Sequence, residues 1–132
     1  MPPESRPISD AASVRRQLRA FAGSLPESYE DLPWGELVVK VNKKVFVFLG
    51  GEPGSPGTPP RPAMSLKLDE SRDAALAVEA AEPTGYGLGK HGWVSVPFST
   101  DGAPPVAVLS DWIEESYRLV APKRLLRQLD SH

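Results

Sequence analysis

The sequence predicts an α+β fold of two layers, in which helices cover one face of a five-stranded antiparallel sheet. Three observations lead to this prediction. Short runs of alternating apolar and polar residues, joined by turn residues, are typical of hairpin strands. Segments with apolar residues three and four apart, the spacing of amphipathic helices, lie before, between and after these runs. A length of 132 residues suits one domain with its own core.

The predicted elements follow the order α-β(3)-α-β(2)-α, with a short C-terminal helix added. They are a helix at residues 9–23, strands at 36–41, 44–49 and 64–68, a helix at 72–81, strands at 86–88 and 93–98, a helix at 110–120, and a last helix opened by Pro122. Asn42 and Lys43 form the tight turn of the first hairpin, because Asn tolerates a positive φ. Residues 1–8 are expected to be a disordered tail.

The stretch GGEPGSPGTPPRP at residues 50–62 carries nine Gly and Pro residues and is predicted to be a long exposed loop. It is either a linker between domains or an insertion in a hairpin. Neither flank is large enough to fold alone, so the insertion is favoured and residues 1–132 are predicted to form a single domain.

Composition excludes several classes of protein. The absence of cysteine excludes disulfides, a thiolate nucleophile and cysteine-based zinc sites. No apolar run approaches the roughly 20 residues of a membrane-spanning helix, and the first residues lack the apolar stretch of a secretion signal. We therefore expect a cytoplasmic protein with no membrane interaction. The formal charge of −2 gives no attraction of the whole protein to nucleic acid.

Residues 87–92 (GLGKHG) match the G-x-G-x-x-G pattern of dinucleotide-binding loops, but that motif needs a helix after it. A strand is predicted here instead, so we interpret the glycines as turn residues. His91 lies in this turn. It is either a functional histidine, beside Lys90 and Trp93, or a turn histidine with a ring nitrogen bonded to the backbone.

Lysines cluster around the predicted turns. Lys40, Lys43 and Lys44 flank the first turn, Lys67 points outward from its strand, and Lys90 lies in the second turn. Arg118, Lys123, Arg124 and Arg127 fall in a C-terminal stretch without an acidic residue. Such positions are suited to a phosphate backbone, with Trp93 available for stacking. The alternative interpretation is that these residues are ordinary solvated charges that balance the acidic residues around 69–82.

The segments YGLGKHGWVSV at residues 86–96 and DWIEESYRLVAPKRL at 111–125 resemble the MmcQ/YjbR family of small bacterial proteins. PWGELVVKVNKKVFVFL at 33–49 and MSLKL at 64–68 fit the same pattern. The resemblance implies the element order given above and a fold similar to secretion chaperones. It also implies DNA binding, a label given to the family by analogy with a double-wing arrangement of its hairpins. The recurrent polar positions of the family correspond here to Lys40, Lys67, Lys90, His91, Trp93, Tyr117, Arg118 and Lys123.

This set is rich in lysine and contains neither a carboxylate that activates water nor a set of metal ligands. We therefore expect a non-enzymatic module without cofactor or metal, which binds DNA weakly through its basic hairpins. Lys43, in the turn of the first hairpin, is added to the predicted site residues given above. The alternatives are a chaperone-like module that binds another protein through the open sheet face, and a binder of a small phosphorylated ligand near Lys90 and His91. The oligomeric state is left open.

Overall fold

Helices and strands account for most of the chain that the computed structural model describes, which is residues 7–32, 36–50, 63–78, 81–85, 88–98 and 103–131, without the side chains of residues 7–11. In order they are α1 (Pro7–Gly23), β1 (Tyr29–Asp31), β2 (Leu37–Val41), β3 (Lys44–Gly50), β4 (Ala63–Lys67), α2 (Arg72–Leu76), β5 (Glu82–Pro83), β6 (Trp93–Pro97), α3 (Val106–Val120) and α4 (Lys123–Asp130). A turn of 3-10 helix at Gly89–His91 leads into β6. Residues 1–6 of the predicted tail and 51–62 of the predicted loop lie outside the described residues, whereas Gly50, predicted in the loop, is the last residue of β3.

The strands form one sheet in the order β1-β2-β3-β4-β6-β5, and all neighbours are antiparallel. The predicted class is therefore confirmed, but within the described residues the sheet has six strands rather than five. The additional strand is β1. Its three residues, YED, are all exposed and show no apolar alternation, so the pattern that reveals the other strands is missing.

The first hairpin forms as predicted, with β2 and β3 joined through Asn42 and Lys43. Both turn residues have positive φ angles, 51° and 67° respectively, as a two-residue turn between twisted strands requires. The hairpin closes with Val41 opposite Lys44.

The second hairpin differs from the prediction. The strand partner of β6 at the sheet edge is β5, with Glu82 opposite Ser95 and Pro83 opposite Val94, and not residues 86–88. Leu88 lies in the turn before the 3-10 helix, whereas residues 86 and 87 lie outside the described residues. Proline lacks an amide hydrogen, so it is tolerated on an edge strand such as β5.

Three helix boundaries also differ from the prediction. Helix α1 begins at Pro7, so residues 7 and 8 are helical rather than part of a tail. Proline is favoured at the first helical position because it needs no hydrogen-bond partner there. Helix α2 covers only Arg72–Leu76, and α3 begins four residues before the predicted Ser110, directly after Pro105.

The core lies between the sheet and the helices. Leu18 of α1, Phe46 of β3, Leu66 of β4, Val94 of β6 and Ile113 of α3 are all fully buried there. Helices α1, α2 and α3 pack against the strands on this face. The opposite face of the sheet carries the other half of each alternating strand, and the candidate site lies on that face and at one end of the sheet.

Candidate functional site

Four lysines lie at one end of the sheet. Because β2 and β3, β3 and β4, and β4 and β6 are antiparallel, the β2–β3 turn, the last residue of β4 and the 3-10 helix before β6 share this end. Lys43 and Lys44 lie at the β2–β3 turn, Lys67 is the last residue of β4, and Lys90 lies in the 3-10 helix. Neighbouring strands lie about 4.8 Å apart, so the three groups are separated by only a few strand widths. We call these four residues the lysine end.

None of these lysines has an ion-pair partner among the described residues, and Lys43, Lys44 and Lys90 are exposed. Lys67 is half-buried on its strand. Unpaired ammonium groups are free to contact an anion without first breaking an internal ion pair. The structure therefore brings together three of the predicted site residues, Lys43, Lys67 and Lys90, and adds Lys44.

Acidic side chains also occur at this end, directly after β4. Asp69 and Glu70 are exposed and partly offset the positive charge. Glu115 of α3 accepts hydrogen bonds from the amides of Asp69 and Ser71, at 2.8 and 3.1 Å. Burial favours the neutral form of this carboxyl, but the amide hydrogen bonds outweigh it and hold the pKa of Glu115 below its usual value. Glu115 is therefore occupied in fixing the segment between β4 and α2.

Glycines shape the turn that carries Lys90 and His91. Gly92 has a φ of 92°, and a Cβ there would lie 2.8 Å from the carbonyl oxygen of Leu68. The same close approach forms a hydrogen bond, because the Leu68 amide donates to the Gly92 carbonyl at 2.9 Å. A Cβ on Gly89 would lie 2.7 Å from Pro83 Cβ. The glycines thus serve backbone packing, and the strand β6 follows them in place of the helix that a dinucleotide site needs.

His91 is exposed at the end of this turn. Its amide donates to the Leu88 carbonyl at 2.9 Å, whereas no hydrogen bond of the imidazole occurs among the described residues. The described part of the chain also contains no group of three or more His, Asp or Glu side chains that fits a metal ion. His91 thus adds a polar, solvent-facing ring beside Lys90.

Trp93 lies on the sheet face away from the helices, as its alternation with Val94 and Val96 predicts. Both valines are fully buried, whereas Trp93 and Ser95 are half-buried. The Trp93 ring meets the Phe48 ring edge to face, with centroids 5.5 Å apart. This contact crosses β4, which lies between β3 and β6. We call this surface the open face. It is formed by the half-buried residues Lys40, Phe48, Ser65, Lys67, Trp93 and Ser95, whereas Val38 and Pro97, on the same face farther from the lysine end, are buried.

A row of hydroxyl groups crosses the open face. Ser65 Oγ and Ser95 Oγ are 2.8 Å apart, and Ser95 Oγ is 3.0 Å from Thr84 Oγ1. Sequence reasoning missed this row, together with Phe48. Alternation alone places Ser65 and Ser95 outward, but only the pairing of β4 with β6 puts them opposite each other.

Lys40 lies on the open face near the opposite sheet edge, where it is not free. Its Nζ donates to Asp31 Oδ2 at 2.8 Å. This hydrogen bond, together with one from the Leu32 amide, holds the pKa of Asp31 below its usual value, and it raises the pKa of Lys40. Lys40 therefore links β2 to β1 through an ion pair, whereas the lysines of the lysine end form no ion pair among the described residues.

Ser116, in the C-terminal part of the resemblance, joins two strands. Its hydroxyl donates to the Phe46 carbonyl at 2.6 Å and accepts from the Lys67 amide at 3.0 Å, and the side chain is fully buried. Direct pairing of β3 with β4 is confined to the Val47–Leu66 and Phe48–Ser65 positions. Ser116 thus supplies the bond between these strands where they separate toward the lysine end.

Tyr117, a predicted site residue, is a core residue. Its side chain is 0% exposed, and the ring packs edge to face on Phe46 with centroids 5.3 Å apart. The hydroxyl donates to the Pro26 carbonyl at 2.7 Å, and burial raises the pKa of the phenol. The structure therefore places Tyr117 in the core rather than on an exposed surface.

Arg118, another predicted site residue, forms ion pairs with two carboxylates. Its guanidinium donates to Asp130 at 2.6 Å and to Glu114 at 3.0 Å, and these bonds raise the pKa of the arginine. The Asp130 contact ties α4 to α3. Arg118 is therefore engaged within the fold rather than presented to an anion.

Lys123 begins α4 and is exposed, without an ion-pair partner in the described part of the chain. The adjacent Arg124 is engaged in a bidentate ion pair with Glu27, at 2.9 and 3.0 Å. Because Ser116 reaches Phe46 and Lys67, the C-terminal end of α3 lies near the lysine end, and α4 follows from it in the helical layer. Lys123 is thus placed toward the same end of the molecule, but on the helical side.

These features define a small two-layer α+β protein with helices on one face of an antiparallel sheet and free lysines at one sheet end. The family model YjbR matches residues 23–119, most of the chain, so the chain belongs to the YjbR family. The resemblance noted in the sequence is thereby confirmed. No curated protein sequence matches the chain. Within the described residues, every helix is too short or too polar to cross a lipid bilayer.

Proposed function

We propose that this YjbR-family protein binds nucleic acid weakly through the lysine end. The observation that carries the proposal is the presence of Lys43, Lys44, Lys67 and Lys90 at one sheet end, each without an ion-pair partner among the described residues. Phosphate contacts by lysine release counterions and give affinity that does not depend on sequence. The two-residue turn between β2 and β3 and the turn at Gly92 set the backbone positions of Lys43 and Lys90.

The arrangement favours weak rather than tight binding. Four lysines, with Lys123 toward the same end, contact about three to five phosphates, which gives a moderate dependence on salt. Asp69 and Glu70 oppose this attraction, and the net charge of the chain is −2. We therefore expect micromolar or weaker dissociation constants, at about the level of nonspecific binding.

The test is a fluorescence anisotropy titration with a labelled oligonucleotide at low and moderate salt. The double variant Lys43→Glu/Lys90→Glu places a repulsion at each turn, so we expect its affinity to fall about tenfold or more and its salt dependence to weaken. Both residues are exposed and bury little apolar surface, so the fold is retained.

The matched control is Arg16→Glu/Arg127→Glu, which makes the same change in net charge at exposed positions of α1 and α4. Its affinity should change far less. Equal losses in both double variants would contradict a site at the lysine end. The absence of any binding by the wild type at low salt would contradict the function itself.

A second candidate is binding of another protein, and exposed apolar residues at the β1 edge favour it. Tyr29 and Leu32 are 44% and 60% exposed, in and directly after the short edge strand. An edge strand presents unpaired backbone groups to which an extended segment can add. This candidate takes first place when the wild type fails to bind any oligonucleotide at low salt.

A further inference from the structure

We infer that the nucleic acid bound at the lysine end is single-stranded, and that its bases stack on the open face against Trp93. This inference rests on the proposed function and deepens it. It assigns a role to the open face, which phosphate contacts alone leave unused.

Trp93 is placed where a base would follow a bound phosphate. It is the first residue of β6, directly opposite Lys67 and three residues after Lys90. When the phosphates of a single-stranded nucleic acid contact these two lysines, its bases therefore lie next to the indole. Nonspecific single-strand binders combine these same two features, a basic path for the backbone and aromatic rings for the bases.

The indole is held in place before any ligand arrives. It is half-buried and meets Phe48 edge to face at a centroid distance of 5.5 Å and an interplanar angle of 66°. The indole is only half-buried, so part of its surface remains in contact with solvent and is available for stacking. Because the ring is already ordered, less side-chain entropy is lost on binding.

The hydroxyl row beside the rings suits base edges of any kind. Ser65, Ser95 and Thr84 make two hydrogen bonds among three hydroxyls, and either atom of each pair can be the donor. Three hydroxyls contain three donors, so one donor and several lone pairs remain available. The hydrogen bonds along this row can reverse their direction. The row can therefore bond to either donor or acceptor groups of a base and does not impose a sequence.

A duplex does not fit this surface. Its base faces are stacked within the helix, and groove readers insert a protruding helix or ribbon instead. The β2–β3 turn consists of only Asn42 and Lys43, and Trp93 lies on the sheet rather than at its tip. Acidic residues limit the path at both sheet edges, with Asp31 beside Lys40 and Glu82 opposite Ser95. The single-stranded nucleic acid therefore runs along β4 and β6.

The experiment compares three labelled ligands of equal length at low salt: single-stranded oligothymidine, the corresponding duplex, and an abasic single strand. We expect the wild type to bind oligothymidine about tenfold more tightly than either of the others, as base stacking requires. Trp93→Leu should lose about tenfold in affinity for oligothymidine and leave the other two affinities unchanged, whereas Trp93→Phe should retain most of the binding.

The abasic comparison needs no variant, so it decides the inference even when Trp93→Leu fails to fold. Equal affinities of the wild type for all three ligands would overturn base stacking and leave the lysine-end function intact. Absence of binding to all three would overturn both. A melting curve by circular dichroism for each variant separates loss of fold from loss of contact.

Discussion

At the scale of single residues, several positions within the segments that resemble the family act within the fold. Gly92 admits the backbone of Leu68, Ser116 bridges two strands, and Tyr117 anchors α3 to the carbonyl of Pro26. Each performs a task that other residue types do poorly, such as a positive φ or a buried hydroxyl. These three residues therefore serve the architecture of the protein.

Gly92→Ala should destabilise the protein by about 1–3 kcal/mol, because a strained φ and a steric conflict combine. The φ is 92°, and the new Cβ would lie 2.8 Å from a backbone oxygen. The matched control is Gly23→Ala, since a Cβ there meets nothing within 4 Å. It should be neutral or stabilising by up to about 1 kcal/mol. Urea unfolding of both variants measures the difference, and similar stabilities would contradict the steric account.

Tyr117 shows what the sequence can and cannot predict about a site. Helical spacing with Trp112 and Ile113 places Tyr117 on the apolar face, and the structure confirms that burial. The resemblance placed the same residue among ligand contacts, because a tyrosine hydroxyl suits either role. Only the position of the Pro26 carbonyl, 91 residues away in sequence, decides between them. A local pattern contains no information on such a distant partner.

At the scale of elements, exposed ion pairs attach the peripheral helix α4. Arg118 reaches Asp130, and Arg124 reaches Glu27 in the segment before β1. Apolar contact is also made, since Leu125 is buried in the core. Two of the guanidinium groups that a sequence-based argument counts as free positive charge, those of Arg118 and Arg124, are therefore engaged. Of the three basic residues 123, 124 and 127, Arg124 is the one seen in an ion pair within the described residues.

Arg118→Gln should reduce stability by at most about 1 kcal/mol, because ion pairs of this exposure contribute little. Oligonucleotide affinity should match that of Arg16→Gln, which removes the same charge from exposed α1, to within about twofold. Urea unfolding and anisotropy titration measure the two effects. A selective loss of affinity in Arg118→Gln would return this residue to the binding site.

The strands that the sequence failed to predict are those that contribute least to the core. β1 is exposed along its whole length, and β5 consists of Glu82 and Pro83, both exposed. Apolar alternation arises from burial of one face, so strands without a buried face leave no such pattern. β2, β3, β4 and β6 each have buried residues at alternating positions, and all four are found close to their predicted bounds.

At the scale of the whole molecule, several acidic residues form ion pairs at element junctions, while four lysines without an ion-pair partner among the described residues lie at one sheet end. Glu30 binds Arg19 of α1 at 2.6 Å, Asp31 binds Lys40, and Asp130 binds Arg118. A chain of net charge −2 therefore still places four lysines without ion-pair partners among the described residues at one sheet end, next to the exposed Asp69 and Glu70. Net charge alone predicts poor binding of nucleic acid, and the distribution of paired and unpaired charges changes that expectation.

The junction carboxylates also set the pH dependence of stability. Hydrogen bonds from arginine hold the pKa values of Glu27, Glu30 and Asp130 below their usual values. The unfolded chain therefore binds protons more readily than the folded one. Stability from these pairs is fully present above the unfolded pKa of roughly 4, and it is lost as the pH falls through the folded values.

The melting temperature should accordingly stay level between about pH 5 and 8 and fall progressively below about pH 4. Glu30→Gln removes one titrating group, so its melting temperature should fall less steeply with acid than that of the wild type. High salt screens exposed pairs and should flatten the curve of the wild type toward that of the variant. Circular dichroism melts from pH 3 to 8 measure all three curves. A melting temperature that rises on acidification would contradict the assignment, because it requires carboxyl pKa values above those of the unfolded chain.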